Sequence, residues 1–103
     1  MEEISRDLLL KKLQHWIGTN IYVHIEVNPG GYFRNGKASL HQVHVKGEQS
    51  IRVFLELDEQ ASIIHVDHLT HMRLADDLVI VTAYDEHGRL ARTLEVSSRP
   101  FPI

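Results

Sequence analysis

The hydrophobic period of this chain changes once, at Gly18, and that change limits what it can fold into. Before Gly18, Leu9, Leu10, Leu13, Trp16 and Ile17 fall within a stripe of about 120° on a helical wheel, the face an amphipathic helix buries. Ser5 is a good N-cap, Asp7 lies in the favourable first turn, and Gly18 is a natural terminator, so the pattern predicts a helix from about Arg6 to Ile17. Ile4 and Leu9 have the spacing of a hydrophobic staple across that cap. Lys11, Lys12 and His15 lie at the end where the helix dipole favours cations.

After Gly18 the period is two, the mark of strands. Ile21, Val23, Ile25 and Val27 alternate with Tyr22, His24 and Glu26, which predicts a half-buried strand with a polar outer face. Asn28-Pro29-Gly30-Gly31 breaks it, and Asn35-Gly36 reads as a type I′ turn. In the next strand Ala38 and Leu40 share one parity and Val43 and Val45 the other, so a β-bulge is expected near His41-Gln42. Ile51 to Leu57 alternates again, and Asp58-Glu59-Gln60 turns the chain. Short strands follow at Ser62–Val66 and Leu69–Leu74, then one apolar on both faces at Leu78–Ala83. Asp85-Glu86-His87-Gly88 loops into Leu90–Val96, and Pro100 and Pro102 are expected to fray the tail. The expectation is one mainly-β domain: a helix over 1–18, a β-rich body over 19–97 and a tail over 98–103. Its six to seven short strands form a small pseudo-barrel or a bent antiparallel or mixed sheet, plugged by the helix.

Charge and composition remove several function classes. The formal charge is −3 and the pI ≈ 6.2, with the cations scattered, whereas nucleic-acid binders concentrate theirs in basic patches. No run approaches the ~18 apolar residues of a membrane span, and the acidic Met1-Glu2-Glu3 start is unlike a signal peptide. The absence of cysteine excludes disulfides, thiolate metal sites and thiol nucleophiles. A cytoplasmic location is therefore expected, without nucleic-acid or membrane partners. So is a homodimer, because a chain this short buries only about 60–70% of the surface its unfolded form exposes. Eight histidines stand out: protonating all of them would move the net charge from −3 to +5.

There is no G-x-G-x-x-G, Walker-type phosphate loop, G-x-S-x-G elbow or H-E-x-x-H, so nucleotide-binding, serine-hydrolase and zincin chemistries lack their motifs. His24-x-Glu26 resembles the start of a zinc deaminase signature, but the paired cysteines that signature needs do not exist. Two other histidine groupings remain. His41-x-x-His44 is one; His65, His68 and His71, around Asp67, form the other. Residues three apart on a strand point to opposite faces, so the second group is a candidate zinc or nickel site only if the chain turns at Asp67-His68. His24 and Glu26 share a strand face, which fits an acid–base pair or a structural hydrogen-bond network.

Several segments together resemble the YojF-like family of spore-forming Gram-positive bacteria, a small domain of unknown function. They are Tyr22-Val23-His24-Ile25-Glu26, Gly31-Tyr32, Arg34-Asn35, Arg52-Val53, Leu69-Thr70-His71 and Tyr84-Asp85-Glu86-His87-Gly88-Arg89-Leu90. The likeness extends from the helix to Phe101. It departs at His68, where the family pattern has a glycine before Leu-Thr-His. The resemblance implies a pseudo-barrel β fold, cytoplasmic residence and no assigned activity or cofactor. Its motifs single out His24, Glu26, Thr70 and His71 as ligand-binding residues. It also implies a partner pathway, because members are often encoded beside a deacetylase of low-molecular-weight-thiol (bacillithiol) synthesis. The leading expectation is a non-enzymatic binding or accessory module with no catalytic residue. A histidine-based metal protein and a small His/Glu acid–base enzyme are the alternatives.

Overall fold

Ser5 marks the entry to the helix as expected: it is extended, and its side chain accepts a hydrogen bond from the Leu8 N–H at 3.4 Å. The computed structural model describes residues 1–59 and 61–103, so Gln60 of the expected Asp58–Gln60 turn lies outside the described residues. A two-residue strand, β1 (Glu2–Glu3), precedes the helix α1 (Arg6–Gln14). The helix stops three residues short of Ile17. There the N–H groups of His15, Trp16 and Ile17 bond to carbonyls three residues back, a tightened last turn, and Gly18 takes φ 87°. Leu9 and Leu13 are fully buried, Leu10 and Trp16 pack against the core, and Ile17 is partly exposed.

Seven further strands follow: β2 (Asn20–Val27), β3 (Gly31–Gly47), β4 (Ile51–Leu57), β5 (Ser62–Leu69), β6 (His71–Leu74), β7 (Leu78–Tyr84) and β8 (Leu90–Ser97). They form one antiparallel sheet in the order β1-β6-β7-β8-β2-β3-β4-β5, and it is not closed into a barrel. The count exceeds the expected six to seven because Glu2–Glu3 adds to the edge by pairing with β6. The seventeen-residue β3 belongs to both halves: its first part pairs with β2, and from Leu40 onward it pairs with β4. Inward side chains of seven strands and the helix, including Ile21, Leu40, Ile51, Leu55, Leu69, Met72, Val79 and Leu94, fill one core. Arg92 Nη1 on β8 donates to the Asp67 carbonyl on β5 at 3.0 Å, and the Thr70 N–H, just before β6, donates to the Thr82 carbonyl on β7 at 2.9 Å.

Bulges bend this sheet. The pairing of β3 with β4 shifts between Leu40 and Gln42, where the apolar parity slips. Asn35-Gly36 is not a hairpin turn. It lies inside β3, with Asn35 at φ 62°, and the chain reverses earlier, at Asn28–Gly30. Asp67-His68 is not a turn either: β5 runs through it as a bulge opposite Arg52, with His68 at φ 57°, and the strand breaks at Thr70 instead. His68 thus holds a left-handed conformation that glycine adopts without the side-chain clash. His68→Gly is expected to stabilise the fold by about 0.5–1 kcal/mol, raising Tm by roughly 3–6 °C. A calorimetric Tm equal to or below that of the native chain would contradict the assigned conformation.

Candidate functional site

The alternation of β2 sends Ile21 and Val23 into the core and Tyr22, His24 and Glu26 to the outer face. His24 nevertheless is only 4% exposed, with the Tyr32 ring of β3 and the Phe101 ring of the tail against it. The pairing of β2 with β3 shifts between Val23 and Ile25, so Arg34 and Asn35 together oppose His24. That bulge brings Arg34 Nη1 to 3.1 Å from His24 Nδ1, while His24 Nε2 lies 3.2 Å from Glu26 Oε1. A guanidinium only donates, so Nδ1 must be the bare, accepting nitrogen. Nε2 then carries the proton and donates to Glu26. The ring thus bridges a cation and an anion.

Glu26 also accepts from Asn28 Nδ2 at 2.8 Å. That bond, and after it the one from His24, hold the Glu26 carboxyl below its usual pKa. The charges of Arg34 and Glu26 thus stand on either side of one ring. They open into a cleft of ≈ 430 Å³ lined by His24, Glu26, Tyr32, Arg34, Pro102 and Ile103. The Tyr32 ring lies 5.8 Å from the His24 ring.

The other two residues singled out for ligand binding lie across the sheet. Thr70 Oγ1 and His71 Nδ1 are 2.8 Å apart, and the Tyr84 ring meets the His71 ring edge-on at 5.1 Å. With Glu3, Ile4, Glu48 and Gln49 they line a second cleft of ≈ 350 Å³. The register links the two places. Glu26 faces Thr93, Thr93 faces Thr82 and Thr82 faces His71, so these side chains form one row across β2, β8, β7 and β6. Within that row the buried Thr93 Oγ1 has no hydrogen-bond partner among the described residues.

The candidate metal ligands do not converge. Because β5 passes through Asp67-His68 without turning, His65 stacks on Phe54 at 4.3 Å and Asp67 Oδ1 meets Arg92 at 3.3 Å. His68 Nδ1 lies 3.4 Å from Ser50 Oγ, and His71 is on the next strand. Among the described residues no three His, Cys, Asp or Glu side chains gather as a metal site. His44 of the other pair bonds Glu56 across β3 and β4. No helix of the described residues is long and apolar enough to cross a membrane.

Sequence reasoning reached His24 and Glu26 from their shared strand face and missed Arg34 as their partner. It also missed the tail. Rather than fraying, the tail is held by Asn35, whose Nδ2 donates to the Phe101 carbonyl at 2.8 Å and whose Oδ1 accepts from the Phe101 N–H at 2.6 Å. The available signal is Asn35-Gly36, which marks a bulge rather than a turn.

Comparison with known proteins gives a consistent result. Residues 3–101 match the family described as "Protein of unknown function (DUF1806)". The chain is similar to the uncharacterized protein YojF of Bacillus subtilis (strain 168), 25% identical over 118 aligned positions that cover the whole of both chains. It also matches the crystal structure of the Bacillus subtilis YojF protein with a TM-score of 0.88 and 26% identity, over 99% of this chain and 97% of that one.

Proposed function

Because the chain belongs to the protein family of unknown function DUF1806, whose description names no activity, its role must be read from its cleft, and we propose a non-enzymatic binding module for a small zwitterionic metabolite. One observation carries the proposal: a buried His24 holds Arg34 on one side and Glu26 on the other, both at the same cleft. The guanidinium suits a carboxylate, and the free lone pairs of the Glu26 oxygens suit an amine or hydroxyl. Both ring nitrogens of His24 are engaged, which supports binding over proton transfer. The metabolite would serve an enzyme of low-molecular-weight-thiol (bacillithiol) synthesis. The exposed side chains of Val27, Tyr32 and Phe33, around the β2–β3 turn, support a protein contact there, for a module acting as a dimer in the cytoplasm.

Calorimetric titration separates the charges: L-cysteine carries both, L-malate only the anion and D-glucosamine only the cation. L-cysteine is expected to bind saturably and more tightly than the other two. Arg34→Ala and Glu26→Gln should each weaken that binding by about tenfold or more, the effect of losing one hydrogen bond to a charged group. Absence of binding by L-cysteine, or binding indifferent to both substitutions, would overturn the proposal.

A further inference from the structure

Residues 98–103 run from the end of β8 to the mouth of the cleft, fastened at successive points. The Ser98 N–H donates to the Asp77 carbonyl at 3.0 Å, and Arg99 Nε donates to Asp77 Oδ2 at 2.8 Å. Asn35 then grips both backbone polar groups of Phe101, as a neighbouring strand would. Arg34 Nε donates to the Pro102 carbonyl at 2.7 Å. The Phe101 ring lies 5.1 Å from the Arg34 guanidinium and meets the His24 ring edge-on at 6.2 Å. Arg34 therefore divides its donors between His24 inside and the tail outside.

We propose that the tail is a strap competing with the ligand for Arg34, the Pro102 carbonyl holding the N–H that a ligand carboxylate takes. This rests on the reading of the cleft as a binding site. The exchange favours a carboxylate, because an ionised acceptor bonds a guanidinium more strongly than a neutral carbonyl does. It disfavours an uncharged ligand, which must displace the strap without that gain. The strap also keeps His24 covered while the cleft is empty. Apparent affinity is then the intrinsic affinity reduced by the fraction of molecules whose strap is open. Asn35 sets that fraction without lining the cleft itself.

Asn35→Gly tests the strap, since glycine takes the φ of 62° readily while removing both bonds to Phe101. Phe101→Ala is the second variant and leaves the bulge untouched. In each, diethyl pyrocarbonate should modify His24 at least about tenfold faster than in the native chain, as judged by peptide mass spectrometry against the exposed His15. L-cysteine should bind each variant several-fold more tightly than the native chain. In the native chain it should also speed hydrogen exchange at the Phe101 amide, which lies between two prolines. If His24 stays protected in both variants, the strap is not its cover and the proposal falls, whatever L-cysteine does. If His24 opens but L-cysteine binds all three chains equally, the competition is refuted. If His24 opens and L-cysteine binds none of them, the strap stands as a cover and the binding reading fails.

Discussion

Leu13→Asp is expected to leave the chain unfolded or aggregated at 25 °C. Leu13 is 1% exposed, on the helix face that enters the core. Aspartate there forfeits about 1.5–3 kcal/mol of apolar burial and adds several kcal/mol for a carboxylate without a partner. A domain of this size has only about 5–15 kcal/mol of total stability to lose. Leu8→Asp is the matched control, five residues earlier on the same helix but 57% exposed, and should fold normally. Far-UV circular dichroism and gel filtration distinguish the two. A native-like Leu13→Asp would remove the helix from the core and refute the architecture.

The second large effect is expected at Gly47, which ends β3 with φ 103°. A Cβ there would lie 2.2 Å from the Ser50 carbonyl oxygen, a backbone atom that cannot swing aside. Gly47→Ala combines this overlap with an unfavourable dihedral, for a loss of about 3 kcal/mol and a Tm lower by at least about 10 °C. Gly31 has open space where its Cβ would be, so Gly31→Ala should change Tm little. Similar melting of the two variants would contradict the described geometry of the β3–β4 turn.

What could be read from the residues alone followed how local its cause is. The helix start depends on Ser5 and the residues just after it, and the bulge at His41-Gln42 follows from a parity slip within a few positions. Both were legible. Asn35-Gly36 was not, because a left-handed residue before glycine serves a two-residue hairpin and a bulge equally well. The choice between them depends on pairing with β2 over a longer span. The strand break was expected at Asp67-His68 for a similar reason: a left-handed residue is found there, but β4 keeps it in the sheet. His24 and Glu26 were legible as a pair because two residues of spacing on a strand places them on one face. Arg34 reaches them only across the bulge, and Phe101 only through Asn35, so neither contact has a signature in spacing.

The shared strand β3 has a consequence for how the molecule can come apart. Its first part completes the half that holds the cleft, and its second part starts the half formed with β4 and β5. No linker separates these halves, so neither can be excised as a self-sufficient piece or swung on a hinge relative to the other. Disruption of either half unzips a ladder that the other needs, and opening is cooperative across the sheet rather than confined to one side. The movable parts are those outside that shared ladder. In this chain they lie at its margins, residues 98–103 beside the cleft among them.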